Sequence, residues 1–268
     1  MDNIAIIGAG NLGQAIAEGI VNNKLRKPNE VILTRRNIES LQSFIEAGFD
    51  VTTDNEAAVG KAKMVLLCVQ PRQLETVLEP FKEALTQSHV LISVITGITI
   101  NEISQQTNGK PQIIRAMPNT AISIGESMTC ICANSGVSPE SLDSTFAIFK
   151  VLGEVLYIEE KLMKAATVLG ASGIAFFMRY LRAATQGGIE MGFHPEEAQR
   201  IAVQTAKGAA SLIIEHKNHP EEEIDKVTTP QGCTIVGLNE MEHQGLSSAL
   251  IKGLLTSFEK INSIKSDQ

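Results

Sequence analysis

Up to about Ile158, short apolar runs alternate with stretches whose apolar residues recur at helical spacing. Residues 3–7, 30–34, 64–69, 90–94 and 112–116 read as strands, each short and apolar enough to be covered on both faces. Between them, residues 12–22, 38–47 and 74–85 read as helices. Strand and helix alternating in this way predict an α/β fold, a Rossmann-like doubly wound parallel sheet. Beyond Glu160 the period changes. Residues 161–191, 195–216 and 246–264 are alanine-rich and apolar at helical spacing, with no further strand signal, so the second part is expected to be all helix. The boundary is placed near Glu159 and Glu160, giving a dinucleotide-binding domain over residues 1–159 and a helical domain over 160–268, with a frayed tail after Ser263.

The helical part is rich in small residues, among them Ala165, Gly170, Gly173, Ala183, Gly187 and Gly188. Small residues let helices approach closely, which predicts a subunit interface or, alternatively, tight packing within the chain. Lys164, Arg179, Arg182 and Glu190 interrupt the stretch and argue against a membrane span. With 268 residues and 43% hydrophobic content, the chain can fill a sizeable core. A formal net charge of −7 argues against a nucleic-acid surface, since phosphate binding needs a basic face, and points to a small-molecule substrate. The first residues, MDNIAIIGAG, carry no basic leader, so neither a secretion signal nor a membrane anchor is expected there and a cytoplasmic protein is. Cys68, Cys130, Cys132 and Cys233 lack CxxC spacing and are read as reduced thiols, with no metal; Cys130 and Cys132 alternate along what reads as a strand.

Gly8-Ala9-Gly10-Asn11-Leu12-Gly13 is a complete GxGxxG that follows the first strand and opens the first helix. The first glycine permits a tight turn, the second admits backbone amides to a pyrophosphate, and the third lets helix and strand pack closely. An NAD site usually ends its second strand with an acid; here the strand ends Leu33-Thr34-Arg35-Arg36. Two arginines can pair with a 2′-phosphate, which favours NADPH over NADH, the alternative being a solvated basic turn. Val69-Gln70-Pro71 ends the fourth strand, where the nicotinamide side of such a site commonly lies.

Two further runs sit where ligands bind. Arg115-Ala116-Met117-Pro118-Asn119-Thr120 follows another strand; Pro118 stiffens it and Asn119 offers both donor and acceptor, although local capping would account for the same residues. Thr228-Thr229-Pro230-Gln231-Gly232-Cys233-Thr234 precedes an apolar helical run, so the amides of Gly232, Cys233 and Thr234 are expected to open a helix toward an anion; the bland reading is an ordinary helix cap.

RAMPNT, then Ala171-Ser172-Gly173, then TTPQGCT, in that order behind the glycine loop, resemble the pyrroline-5-carboxylate reductases over the full length of the chain. The resemblance implies NAD(P)H-dependent reduction of 1-pyrroline-5-carboxylate to L-proline, with NADPH preferred. It implies a helical domain that interlocks into a homodimer, in the family often assembled further into decamers. It also implies cofactor contacts from Gly8, Gly10, Asn11, Leu12, Gly13, Thr34, Arg35, Arg36, Val69, Gln70, Pro71, Met117, Pro118 and Asn119. On the substrate side it implies Asn119, Thr229, Gly232, Cys233 and Thr234, with Thr234 as the catalytic residue beside the imine nitrogen. The chain departs from the family pattern at Gln70 (commonly lysine), Ala121 and Ile174 (proline) and Gln231 (glycine). Reduction of another cyclic imine, or a nucleotide-binding role without turnover, are the alternative readings.

Overall fold

The computed structural model describes residues 3–263; the tail expected to fray after Ser263 lies outside them. Two compact units divide the chain: one runs to Ser172 and takes in the chain again from Lys260, and the other is Gly173–Glu259.

The first unit is built on an eight-stranded sheet in the order β3-β2-β1-β4-β5-β6-β7-β8. Its strands are β1 (Asn3–Ile7), β2 (Val31–Thr34), β3 (Asp50–Thr52), β4 (Ala62–Leu67), β5 (Val90–Ser93), β6 (Gln112–Met117), β7 (Ser127–Ala133) and β8 (Gly153–Tyr157). The central strands are Ile, Val and Leu runs buried on both faces, as parallel strands under two helical layers must be. Pairing is parallel from β3 through β6, then antiparallel between β6 and β7, then parallel again to β8. The sheet is therefore mostly rather than wholly parallel. The strands β3 and β8 carry no sequence signal of the kind used above, because they are short or half-exposed edge strands without a continuous apolar run.

Helices α1 (Asn11–Asn22), α2 (Gln42–Glu46), α3 (Asn55–Gly60), α4 (Leu74–Leu78), α5 (Ile100–Gln106) and α6 (Pro139–Lys150) cover the faces. The helix expected over 74–85 stops at Leu78, since Pro80 has no N–H to continue the ladder. The one expected over 38–47 divides into a 3-10 turn, Ile38–Leu41, and α2. Side-chain caps start α3 (Asp54), α5 (Thr99) and α6 (Ser138).

After Glu160 the chain is helical: α7 (Met163–Ala166), a π-helical turn Thr167–Ser172, then α8 (Gly173–Glu190), α9 (Pro195–His216), α10 (Pro220–Val227) and α11 (Cys233–His243) in the second unit, and α12 (Leu246–Ser263), which lies in that unit up to Glu259. The first compact unit runs on past Glu160 to Ser172 because these first turns pack on the sheet: Met163 is fully buried in its core with Ile95, Ile100 and Cys132. An ion pair sits at this junction. Arg115, 4% exposed, donates from Nη1 to Glu160 Oε1 at 3.0 Å, and the same oxygen accepts the Ile100 amide at 2.7 Å. One carboxylate thus ties β6 and the start of α5 to the entry of the helical part. Glu160→Ala leaves a buried guanidinium without its partner. It is expected to lower stability by about 1–3 kcal/mol, the range for a lost charged partner that is itself partly solvated. Urea unfolding of the variant beside the parent measures this.

Candidate active site

The carboxyl ends of β1, β2 and β4 meet around the glycine turn. Gly8 has φ +89°, and a Cβ there would lie 2.5 Å from Val69 Cγ1 and 2.9 Å from the Cys68 carbonyl oxygen, so only glycine fits. The Gly8 and Ala9 amides both donate to the Thr34 carbonyl, at 3.2 and 2.8 Å, which bolts the turn to β2. α1 follows with Gly10 as its N-cap, no side-chain cap and no acid in its first turn. Its leading amides and positive dipole end are left for an anion.

In front of this turn lies a cleft of about 790 Å³. Of the residues expected to hold the cofactor, Gly8, Gly10, Thr34, Arg35, Arg36, Val69 and Gln70 line it together. Asn11, Leu12 and Gly13 form the first turn of α1 without lining it, and Pro71 stands just behind Gln70. Three arginines line the cleft and no carboxylate does. The arrangement suits a dinucleotide carrying a 2′-phosphate: backbone amides for the pyrophosphate, guanidinium groups for the extra phosphate, and no acid to repel it. Arg35 also donates from Nη1 to the Ala9 carbonyl at 3.2 Å, coupling the end of β2 to the glycine turn. The sequence reading missed Asn37, Thr53, Asn55 and Arg72, which line the same cleft. Thr53, Asn55 and Arg72 follow the carboxyl ends of β3 and β4, where a doubly wound sheet holds ligands, and that position was the available signal. Cys68 also lines the cleft, but burial pushes its thiol up to about 12, so it is an uncharged wall.

Met117, Pro118 and Asn119 sit at the end of β6, away from this cleft lining. Asn119 is a brace: its backbone N–H donates to Ser127 Oγ at 3.1 Å, its Oδ1 accepts the Ala121 amide at 3.0 Å, and its Nδ2 donates to the Gly170 carbonyl at 3.1 Å. Gly170 belongs to the π-helical turn, so Asn119 holds that turn against the end of β6.

In the other compact unit, Thr229 and Gly232 lie between α10 and α11, and Cys233 and Thr234 are the first residues of α11. The Gly232 amide donates to the Thr229 carbonyl at 2.9 Å, closing a turn with Pro230 second and Gln231 third. Gln231 has φ +62°, the left-handed conformation a type II turn demands of its third residue, usually a glycine. A Cβ on Gly232 would collide with Thr229 Oγ1. With its amide engaged in the turn, Gly232 is the N-cap of α11, and the anion-facing amides are those of Cys233 and Thr234 rather than all three. The first turn of α11 has neither a side-chain cap nor an acid. The loop is presented by α10, anchored through Glu223. Its Oε1 accepts from Lys226 Nζ at 2.6 Å, from Asn218 Nδ2 at 2.9 Å and contacts His216 Nδ1 at 3.1 Å, which hold the carboxyl down to about 2. Among the described residues no cluster of three or more His, Cys, Asp or Glu is placed to hold a metal ion.

Comparison with known proteins matches residues 160–264 to the model described as pyrroline-5-carboxylate reductase dimerisation, and residues 3–97 to that described as NADP oxidoreductase coenzyme F420-dependent. The chain is 47% identical to pyrroline-5-carboxylate reductase 2 of Dictyostelium discoideum, over 96% of this chain and 91% of that protein. It is equally 47% identical to reductase 1 of the same organism, over 98% of this chain but only 50% of that longer protein. Among solved structures, a pyrroline-5-carboxylate reductase from Coxiella burnetii superposes with a TM-score of 0.91 at 28% identity, covering 98% of both chains. With relatives this similar over nearly its whole length, the chain belongs to the pyrroline-5-carboxylate reductase family.

Proposed function

We propose that the protein reduces 1-pyrroline-5-carboxylate to L-proline with NADPH as the preferred reductant. One observation supports this beyond kinship. Both α1 and α11 start with neither a side-chain cap nor an acid, and the loops ahead of them carry the expected ligand residues. A reductase of an imino acid needs two such anion sites, for the pyrophosphate and for the substrate carboxylate.

In this reading Gly8 to Gly13 and Thr34 receive the dinucleotide, Arg35 and Arg36 receive its 2′-phosphate, and Val69 to Pro71 with Met117 to Asn119 form the nicotinamide side. Bound nicotinamide supplies the hydride for the imine carbon. The protein's part is position and protons. The amides of Cys233 and Thr234 take the substrate carboxylate, Thr229 and Gly232 shape the turn, and the Thr234 hydroxyl orients the ring nitrogen and relays a proton to it from water. Asn119 acts by fixing the segment after β6. Gln231, holding a left-handed position at the tip of the loop, narrows the entrance relative to a glycine and is the residue most able to alter the choice of cyclic imine.

Residues 160–268 are proposed as the dimerisation and substrate domain of a cytoplasmic homodimer, the unit from which a decamer is built, with no role for nucleic acid or membrane. The run Glu160–Glu190 is apolar and long enough to cross a membrane by length and composition, yet only 22% of its most apolar window is buried within the chain. Phe177, Met178, Met191, Ile214 and Val236 are likewise exposed on α8, α9, α11 and the loop after α8. A second copy of the domain would cover this apolar surface.

Purified protein is expected to oxidise NADPH with racemic 1-pyrroline-5-carboxylate faster than with pyrroline-2-carboxylate or piperideine carboxylates. Thr234→Ala is expected to lower turnover roughly ten- to a thousandfold, the span from a lost orienting bond to lost proton delivery, with NADPH affinity and melting temperature nearly unchanged. A destabilised variant with normal turnover per folded molecule would reduce Thr234 to a helix cap. Arg36→Ala is expected to raise the KM for NADPH about ten- to a hundredfold through one lost charge-assisted contact, and to leave NADH nearly unaffected. Arg36 is the cleaner probe, because Arg35 also braces the glycine turn. Gly187 faces open space, whereas a Cβ on Gly188 would stand 2.9 Å from Ala198 Cβ. Gly187→Leu should therefore spare the packing of α8 on α9 and shift light scattering toward smaller species, and a parent protein that is monomeric at micromolar concentration would refute the interface.

A further inference from the structure

Arg72 lines the dinucleotide cleft on the opposite wall from Arg35 and Arg36, and the reading so far gives it no task. Arg35 and Arg36 leave the end of β2; Arg72 leaves the end of β4, on the 3-10 turn Pro71–Gln73. That turn is stiff. Pro71 fixes its first residue, Gln73 Oε1 accepts the Gln70 amide at 3.0 Å, and Leu74 and Leu78 behind it are buried in the core. The segment leading into the turn stands against the glycine loop, since Val69 Cγ1 occupies the space a side chain on Gly8 would need. Among the described residues Arg72 and Arg36 have no hydrogen-bond or ion-pair partner, and no carboxylate lines the cleft to neutralise them. A cation held by a rigid turn beside the glycine loop, with nothing among the described residues to pair it, is placed for the charge that the loop itself receives.

We infer that Arg72 binds the diphosphate of the dinucleotide from the β4 wall, so that it sets the affinity for both cofactors while Arg35 and Arg36 set the choice between them. The inference rests on the proposed dinucleotide site and adds a division of labour to it. The 2′-phosphate distinguishes NADPH from NADH and lies with the β2 arginines, whereas the diphosphate is common to NADPH, NADH and ADP. A guanidinium on the diphosphate therefore makes no distinction among the three ligands.

The test uses the full-length protein and equilibrium binding: fluorescence titration for NADPH and NADH, and calorimetry for ADP, each over a range of salt. Arg72→Gln is expected to raise the dissociation constants of NADPH and NADH by similar factors, about ten- to a hundredfold for one lost charge-assisted contact. It should weaken ADP as well and flatten the salt dependence of ADP binding, because one screened ion pair has gone. Arg72→Lys, which keeps the charge, should recover most of the affinity. Because Arg72 is exposed, both variants should melt with the parent. Unchanged constants for all three ligands would overturn the inference. So would a loss confined to NADPH, which would put Arg72 on the 2′-phosphate, or equal losses with an unchanged salt slope, which would make its contribution one of shape. A parent protein that binds none of the three would remove the dinucleotide site itself, whereas a parent that binds all three beside an indifferent Arg72→Gln would remove only this assignment.

Discussion

The structure depends on how closely backbone approaches backbone at the end of β1. That strand is hydrogen-bonded on both sides, to β2 and to β4, and its chain must leave the sheet between their ends and turn at once into α1. The room is set by Val69 and Cys68 on one side and by the Thr34 carbonyl on the other. A residue with a Cβ does not fit at Gly8, and with glycine there the leading amides of α1 emerge at the carboxyl edge of the sheet with no internal acceptor. From this one constraint follow the anion site, the walls supplied by β2 and β4, and the placing of their arginines on either side of it.

The second unit solves the same problem with different means. Here a turn, rather than a sheet, brings the chain into a helix whose first amides lack a side-chain partner. Thr229 and Gly232 close the turn, and Gln231 takes the left-handed position at a cost of about 1–2 kcal/mol that a glycine would largely avoid. The Glu223 cluster ahead of it ties α10 to the end of α9, with Asn218 and Lys226 donating to one carboxyl oxygen and His216 Nδ1 beside it. The orienting role proposed for the Thr234 hydroxyl would depend on such fixing of the loop, since a small displacement of the reacting geometry is expensive in rate. The exposed apolar faces of α8 and α9 account for the family's use of this region in dimerisation: the unit buries little of that surface by itself.

Between these two sites the chain passes through a braced segment. Arg115 and Glu160 pin the entry of the helical part to the sheet, and Asn119 joins the end of β6 to the π-helical turn before Gly173. Both are polar side chains in motifs that invite a ligand reading, and each makes a side-chain hydrogen bond within the first unit. A π turn exposes carbonyls that an α-helix would satisfy, and the Asn119 amide meets one of them.

The sequence by itself determined what local chemistry enforces. The glycine turn was legible because its steric demand falls on three residues in a row of six; the buried strands were legible because Ile, Val and Leu runs have no other place; and the loop at Thr228 to Thr234 was legible because Pro230 and Gly232, two residues apart, shape a turn. The order of the sheet, the reversal of β7, the half-exposed strands β3 and β8 and the early end of α4 were not, since strand direction and edge position depend on which segments pack together and not on their own patterns. The same holds within the site. Arg35 and Arg36 were readable from their place at the end of the second strand, but Thr53, Asn55 and Arg72 reach the cleft from separate loops that only the closed sheet gathers. The Asn119 side chain was read as a donor and acceptor for a ligand or for local capping, and only the folded chain shows the Gly170 carbonyl opposite its Nδ2. Hydrogen-bond partners far apart in sequence leave no periodic trace in it, so the tertiary structure alone decided which polar residues remain open to a ligand.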